Sequence, residues 1–290
     1  MSAITELARA KVNLTLKVLG RRADGYHILE SLIAFAGVGD VVRLEPGAKV
    51  GLEVTGPFAA AITGRNLVEI ALQRLRAAHA DLTLGYVTID KRLPIAAGIG
   101  GGSADAAAVL RAVKSANPAA SGKVDWAGLA AGLGADVSVC LADRSALVWG
   151  IGERVEPTPD LPQLHAVLVC PDRAAPFGKT QSVFARLSVP PAPAEARPAP
   201  LPRFADAAAL IAYMRANGND LRAAARAVLP ASAEAEAALG ALPDCLHVSL
   251  SGAGPTCFGI FADAARAAAA ANVLQAAHPR WWVAATTLGG

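Results

Sequence analysis

The chain has 290 residues, 53% hydrophobic and 18% charged, a length that suits one large or two ordinary domains rather than a single small core. Lys+Arg 27 against Asp+Glu 24 leaves a net charge of +3, so no strong field steers a polyanion, and the apolar content excludes disorder as the main state. The mean hydropathy of +0.38 comes from alanine, and no run of about 18 uncharged apolar residues exists, so neither nucleic acid nor membrane is an expected partner. The four cysteines, Cys140, Cys170, Cys245 and Cys257, form no CxxC pair and read as buried reduced thiols. The first dozen residues mix acidic and basic groups without the apolar run of a signal peptide. A cytoplasmic enzyme, monomeric or a weak homodimer, is expected.

In chain order, Ala8, Ala10, Val12, Leu14, Leu16 and Val18 alternate with Arg9, Lys11, Asn13, Thr15 and Lys17, which predicts a half-buried strand. Residues 20–26 read as a turn. Strands follow at about 40–45, 50–55 and 84–90, with a helix over 66–79 carried by Leu67, Ile70, Ala71 and Leu75. A glycine-rich stretch at 98–103 feeds an alanine-rich helix over 104–114. A short helix at 126–132 and a strand at 137–141 come next. The second half opens near 155–162 and continues with a strand at 165–170 and a helix at 179–187. The Pro/Ala-rich stretch 187–203 is unsuited to helix or sheet and reads as a long surface loop, an inert connector. Helices are expected at 207–216, 220–228 and 233–242. Strands at 247–250 and 257–261 flank a glycine turn, and a helix at 263–278 and a strand at 281–286 close the chain. The order is α+β in two subdomains, without an internal repeat.

The strongest chemical signal is the run from Pro94 through Ala96, Ala97, Gly98, Ile99, Gly100, Gly101, Gly102 and Ser103 to Ala104. Four glycines strip side chains from a loop that enters a helix. Exposed backbone N–H groups and the positive helix end together make an anion cradle. A Walker A loop would end in GK[ST], and the dinucleotide fingerprint would place a third glycine at 103; neither matches.

This run resembles the ATP phosphate loop of the GHMP kinases. The stretch 10–16, Ala-Lys-Val-Asn-Leu-Thr-Leu, resembles the N-terminal substrate motif of that family, and Ser251-Gly-Ala-Gly-Pro-Thr-Cys257 its C-terminal glycine motif. The finer resemblance is to the branch that phosphorylates the C2 hydroxyl of CDP-methylerythritol. It is carried by Lys11-Val-Asn13, Arg21 to Asp24-Gly-Tyr-His27, Ile89-Asp-Lys-Arg-Leu-Pro94, Leu133-Gly-Ala-Asp-Val137, Gly150-Ile-Gly-Glu153 and Gly218-Asn-Asp-Leu221. The resemblance implies a two-domain fold: an N-terminal domain like domain 2 of ribosomal protein S5 over 1–155, and a ferredoxin-like domain over 156–290. It implies ATP as phosphoryl donor and a cytidine diphosphate-linked alcohol as acceptor.

On the same basis Asp136, read as lying in a turn before a strand, takes the hydroxyl proton, and Lys11 keeps that carboxylate ionised. Otherwise Asp136 is a turn residue bonding its own backbone, and Lys11 a solvated strand lysine. Asn13 accompanies Lys11 at the substrate. Tyr26 and Phe184 are implied as stacking rings for cytosine, His27 as its hydrogen-bonding partner, with Ile151 and Thr180 on the same side. Asn66 and Lys91 are implied on the adenine side of ATP; Lys91 otherwise reads as a solvated charge at a strand end. Asp105 stands where many relatives carry Asn, and a carboxylate there repels phosphate unless something neutralises it. No Glu fills the second Mg²⁺ position that some family members use. Mg²⁺ is expected to arrive as Mg·ATP, held by phosphates and water, with Ser103 as a candidate contact.

Overall fold

A computed structural model describes residues 2–171, 178–192 and 198–289. In chain order the strands and α-helices are β1 (Ile4–Asn13), β2 (Lys17–Arg21), β3 (His27–Pro46), β4 (Gly51–Thr55), α1 (Leu67–Ala78), β5 (Gly85–Asp90), α2 (Gly101–Ala116), α3 (Trp126–Leu133) and α4 (Ala135–Ala142). They continue with β6 (Ala146–Gly150), β7 (Arg154–Pro157), β8 (Leu164–Cys170), α5 (Lys179–Phe184), α6 (Ala207–Asn217), α7 (Arg222–Val228), α8 (Pro230–Gly240), β9 (His247–Leu250), β10 (Cys257–Phe261), α9 (Ala264–Ala277) and β11 (Trp282–Leu288). No helix among the described residues is long and apolar enough to cross a membrane. The elements form two compact units. One comprises Met1–Ala10, Val38–Ile95 and Gly100–Asp143; the other comprises Lys11–Gly37, Ala96–Ile99 and Arg144–Gly290.

In the first unit β4 pairs parallel with β5, and β5 pairs antiparallel with the second half of β3. A parallel pair needs a crossover connection, and α1 supplies it. Asn66 caps α1: its side-chain oxygen accepts the Val68 amide at 2.9 Å. Helix α2 packs against α1 and α4. Its buried residues include Ala104, Ala106, Ala107, Ala108 and Ala112, each 2% exposed or less. Alanine has the best helix propensity and the smallest side chain, so this helix sits close to its neighbours.

In the second unit β8, β9, β10 and β11 make an antiparallel sheet ordered β11-β8-β10-β9. Taken with the helices between β8 and β9 and with α9 between β10 and β11, this is the β-α-β-β-α-β arrangement of a ferredoxin-like domain. Leu288 of β11 pairs with Ala36 of β3, and β2 and β6 pair with the first half of β3. Val167, Val169, Leu250 and Phe261 join Val183 of α5, Leu221, Ala225 of α7, Leu239 of α8 and Leu274 of α9 in one core.

Several sequence expectations are corrected. The first strand is not half-solvated: every residue from Ala10 to Leu16 is buried, Lys11, Asn13 and Thr15 included. The span 27–39, which carried no expected element, is the first half of β3, a 20-residue strand. Expected strand 137–141 is helix α4, so Asp136 stands in the first helical turn and not in a turn before a strand. The short apolar run Val137 to Leu141 suits either state, and Val137 and Cys140, three apart, share the buried side. The hairpin β6–β7 was not anticipated. The proline-rich stretch is not simply a connector. Pro190 accepts the Arg21 amide, the Ala192 amide donates back to the Arg21 carbonyl, and Arg21 bridges Pro191. Residues 193–197 of that stretch lie outside the described residues.

Candidate active site

The glycine loop has a regular backbone alternation. Ala96, Gly98 and Gly100 have φ of 55°, 80° and 68°, and Ala97 and Ile99 between them do not have positive φ. Alternation of right- and left-handed residues turns successive N–H groups toward one concave side. The carbonyls are used on the other side. Ala96 accepts Lys179 Nζ at 2.8 Å, and Ala97 accepts the Thr256 amide at 3.1 Å. Gly98 accepts the Ser251 hydroxyl at 3.0 Å, and Ile99 accepts the Lys11 amide at 2.9 Å. The amides of Ile99 to Ser103 donate to no acceptor among the described residues. Four carbonyls are spent and the donors remain, which is the chemistry of an anion receptor. At Gly98 a Cβ would lie 2.5 Å from the Gly254 carbonyl oxygen, so only glycine suits that turn.

Within the first unit, Asp40 Oδ1 accepts the amides of Arg92 and Leu93 at 2.6 and 2.7 Å, fixing the turn from β5 toward Pro94. Its Oδ2 meets Lys91 Nζ, and Lys91 Nζ also bonds Asp105 Oδ2 at 2.6 Å. All three side chains are sealed: Lys91 3%, Asp40 0% and Asp105 4% exposed. Lys91 is therefore not a solvated strand-end charge. Burial pushes the Asp105 carboxyl up to about 7; the Lys91 charge works against that shift and the Asp40 charge with it. The carboxylate at 105 faces an ammonium, which answers the conflict its sequence position raised. A Cβ at Gly101 would stand 3.2 Å from Lys91 Nζ, so the cation lies directly beneath the first residue of α2. Ser103 is in the first turn of α2, and Asp136 is exposed in the first turn of α4.

Within the second unit, Lys11 and Asn13 lie near the end of β1 and are both buried. The Asn13 amide donates to Ser251 Oγ at 3.2 Å and its Nδ2 to Ser31 Oγ at 2.7 Å. Asn219 Nδ2 donates to the carbonyls of Leu250 and Gly252 at 2.8 and 2.9 Å, and its Oδ1 accepts the Leu221 amide. This amide side chain thus shapes the 251–256 glycine turn.

Tyr26, His27, Ile151, Thr180 and Phe184 line one cavity of about 510 Å³, together with Arg21, Asp24 and Gln181. The His27 and Phe184 rings have centroids 5.0 Å apart and planes inclined by 33°. Tyr26 is 61% exposed. It is held by a tight turn in which Asp24 accepts the Tyr26 amide at 3.2 Å and the Arg22 amide donates to the Tyr26 carbonyl at 2.7 Å. Burial, and then the nearby Arg21 charge, lower the His27 pKa. A neutral imidazole offers one donor and one acceptor. An exposed ring, a tilted pair of rings and a neutral imidazole in one cavity suit a flat heteroaromatic ligand with mixed donors and acceptors.

Residues 66–150 match the family model described as "GHMP kinases N terminal domain", and residues 201–280 match "GHMP kinases C terminal". A protein of Parvibaculum lavamentivorans named 4-diphosphocytidyl-2-C-methyl-D-erythritol kinase is 45% identical over 292 residues, covering 99% of both chains. One of Cereibacter sphaeroides with the same name is 45% identical, covering 98% of both. The chain belongs to the GHMP kinase family. A crystal structure of a 4-(cytidine 5'-diphospho)-2C-methyl-D-erythritol kinase superposes on this GHMP kinase with a TM-score of 0.76 at 35% identity, covering 99% of this chain and 100% of the other. The fold is therefore the two-domain GHMP kinase fold.

Two residues of this GHMP kinase lie outside the motifs quoted from its sequence. Asp40 acts on the amides of Arg92 and Leu93, 52 and 53 positions away, and local patterning carries no trace of such partners, whereas Ser251 and Asn219 fall inside the quoted glycine motif and the Gly218-Asn-Asp-Leu221 element. Lys179 had a weak signal: a lone lysine between a glycine and the apolar positions of a short helix.

Proposed function

We infer that the chain transfers the γ-phosphoryl group of ATP to the C2 hydroxyl of 4-diphosphocytidyl-2-C-methyl-D-erythritol, giving the 2-phosphate and ADP, a step of the non-mevalonate isoprenoid route. The observation that carries this reading is the cavity bounded by Tyr26, His27 and Phe184 in a chain of this family. A GHMP kinase with an unlike acceptor has no use for a site of that shape and polarity.

In the mechanism proposed, the loop amides of 98–103 receive the polyphosphate and stabilise charge as it moves to the transferred phosphoryl oxygens. Asp136 accepts the proton of the C2 hydroxyl, and Lys11 holds that carboxylate ionised. Support for Lys11 is its burial and its amide bond to the Ile99 carbonyl, which seat it at the entry of the loop. Asn13 orients the acceptor alcohol. Tyr26 and Phe184 stack on cytosine, and His27 reads its edge, with Ile151 and Thr180 closing the walls. The adenosine is assigned to the side of Asn66, whose oxygen is spent on the cap of α1, so its Nδ2 is the group left for a base; Lys91, its ammonium sealed between Asp40 and Asp105, offers its side chain to the carboxylates and not to a base. Mg²⁺ would be carried in by ATP and held mainly by phosphates and water, where it would supply screening of the phosphate charge, with the Ser103 hydroxyl as its candidate protein contact. A functional division near residue 155 is supported by the two family-model matches on either side of it. Four free thiols support action in the reducing cytoplasm.

The test is ADP release from Mg·ATP with the cytidyl substrate, beside homoserine and mevalonate. Turnover with the cytidyl substrate alone is expected, and turnover with homoserine or mevalonate instead would sink the acceptor assignment. Asp136→Asn is expected to keep ATP binding and lose at least a hundredfold in kcat; an unchanged kcat would remove Asp136 from the mechanism.

A further inference from the structure

Lys179 has no part in the mechanism above, yet it is among the most confined cations of the second unit, at 7% exposure. Its Nζ donates to the Ala96 carbonyl at 2.8 Å and to the Gly254 carbonyl. Ala96 opens the phosphate loop, and Gly254 lies in the C-terminal glycine turn; both have positive φ. The two turns are already in contact, since a Cβ on Gly98 would meet the Gly254 carbonyl. Among the described residues no carboxylate pairs with this ammonium. The titratable group that faces it is the Cys170 thiol at the end of β8. The cations of the neighbouring α7, Arg222 and Arg226, are engaged by Glu236 of α8. Burial lowers the ammonium to about 8.

Two carbonyls could be satisfied by backbone amides at no electrostatic cost. A buried ammonium costs desolvation and returns a full charge. That charge is useful where an anion is to be held, and the turn that Lys179 grips at Ala96 leads into a run of five amides, Ile99 to Ser103, without acceptors among the described residues. We propose that Lys179 is a positioning residue for the phosphoryl donor: it ties the Ala96 turn to the Gly254 turn and adds a fixed positive charge to the stretch 96–99 from which the glycine loop runs on. This rests on the kinase reading given above.

The experiment compares the wild type with Lys179→Met, which keeps the length of the side chain and removes the charge, and Lys179→Arg, which keeps the charge. The Met variant is expected to raise KM for ATP and Kd for ADP at least tenfold, with KM for the cytidyl substrate within twofold. The Arg variant recovers part of that loss. In the wild type ADP affinity falls as pH rises from 7 to 9, because the ammonium discharges, and the Met variant keeps only the part of the fall that Asp105, raised to about 7, contributes. Unchanged ADP affinity in the Met variant overturns the proposal. So does an affinity loss with an intact pH dependence, which is the mark of a merely structural role. Should the Met variant not fold, calorimetry of ADP binding to the wild type at pH 8 in two buffers of different ionisation enthalpy decides. Proton uptake on binding supports the assignment, and no uptake overturns it. A wild type that binds no ADP and turns over no cytidyl substrate removes the kinase reading as well, which separates that failure from failure at Lys179 alone.

Discussion

Lys91, Asp40 and Asp105 put two carboxylates and one ammonium in a space closed to water. Removing the cation leaves two buried anions, so Lys91→Met is expected to cost about 3–5 kcal/mol in urea unfolding. Removing one anion acts in the opposite sense above neutral pH. The Asp105 carboxyl is raised to about 7 when folded, from 3.8, so the folded state binds its proton more tightly than the unfolded chain does. The stability this adds is fully present below about 4 and is lost as pH climbs to about 7. Asp105→Asn has no such proton, and its urea midpoint is expected to stay flatter than that of the wild type between pH 5 and 8. Parallel pH curves for the two proteins would show that Asp105 does not titrate in this range. The sequence marked Asp105 as anomalous and Lys91 as ambiguous, but not Asp40. An ion pair joining positions 40 and 91 is closed by the pairing of β3 with β5, and no local pattern reports it.

Elements were legible where one face alone is buried or where a breaker marks the end. The helix α1, with its Asn66 cap, and the βαββαβ order of 164–288 follow this rule. At β1 the element was legible and its burial was not, whereas β8 and β10, equally buried, read as strands from their unbroken apolar runs. Ala10 to Leu16 shows polar residues alternating with apolar ones, and the polar face is buried because Asn13 and its neighbours bond Ser31 and Ser251 rather than water. The reading failed at α4, where eight residues between a glycine and a turn are too few for a period to show. The glycine loop was the most legible part of the site because its chemistry is backbone chemistry, written directly in the spacing of glycines. Gly98→Ala tests this at the scale of the turn. Its φ of 80° and the 2.5 Å approach to the Gly254 oxygen give a side chain no place without moving the 251–256 turn. The variant is expected to lose ATP turnover at least a hundredfold, while CMP binding, read by quenching of Tyr26, stays within twofold. Equal loss of both would mean that the turn supports the cavity walls as well as the nucleotide.

At the scale of the whole molecule, the chain passes between its two compact units five times, after residues 10, 37, 95, 99 and 143. Strands β1 and β3 each contribute one part to each unit. A strand cannot dissolve at one end while its hydrogen-bonded ladder persists at the other without leaving buried polar groups unpaired. The core of the second unit also draws Leu16 from the first tenth of the chain and packs it with Leu221, Val183 and Leu250. Independent unfolding of the units would have to part β1 after residue 10 and β3 after residue 37, inside hydrogen-bonded strands. Scanning calorimetry is therefore expected to give one transition, with a calorimetric enthalpy near the van't Hoff value and of about 200 kcal/mol near 60 °C by the usual per-residue scaling. Two resolved peaks would mean that the strand crossings do not transmit cooperativity. The same argument predicts that a fragment of residues 156–290 alone, deprived of β2, β3 and β6, fails to give a native far-UV and near-UV spectrum even though its own four strands have the order of a complete ferredoxin-like sheet.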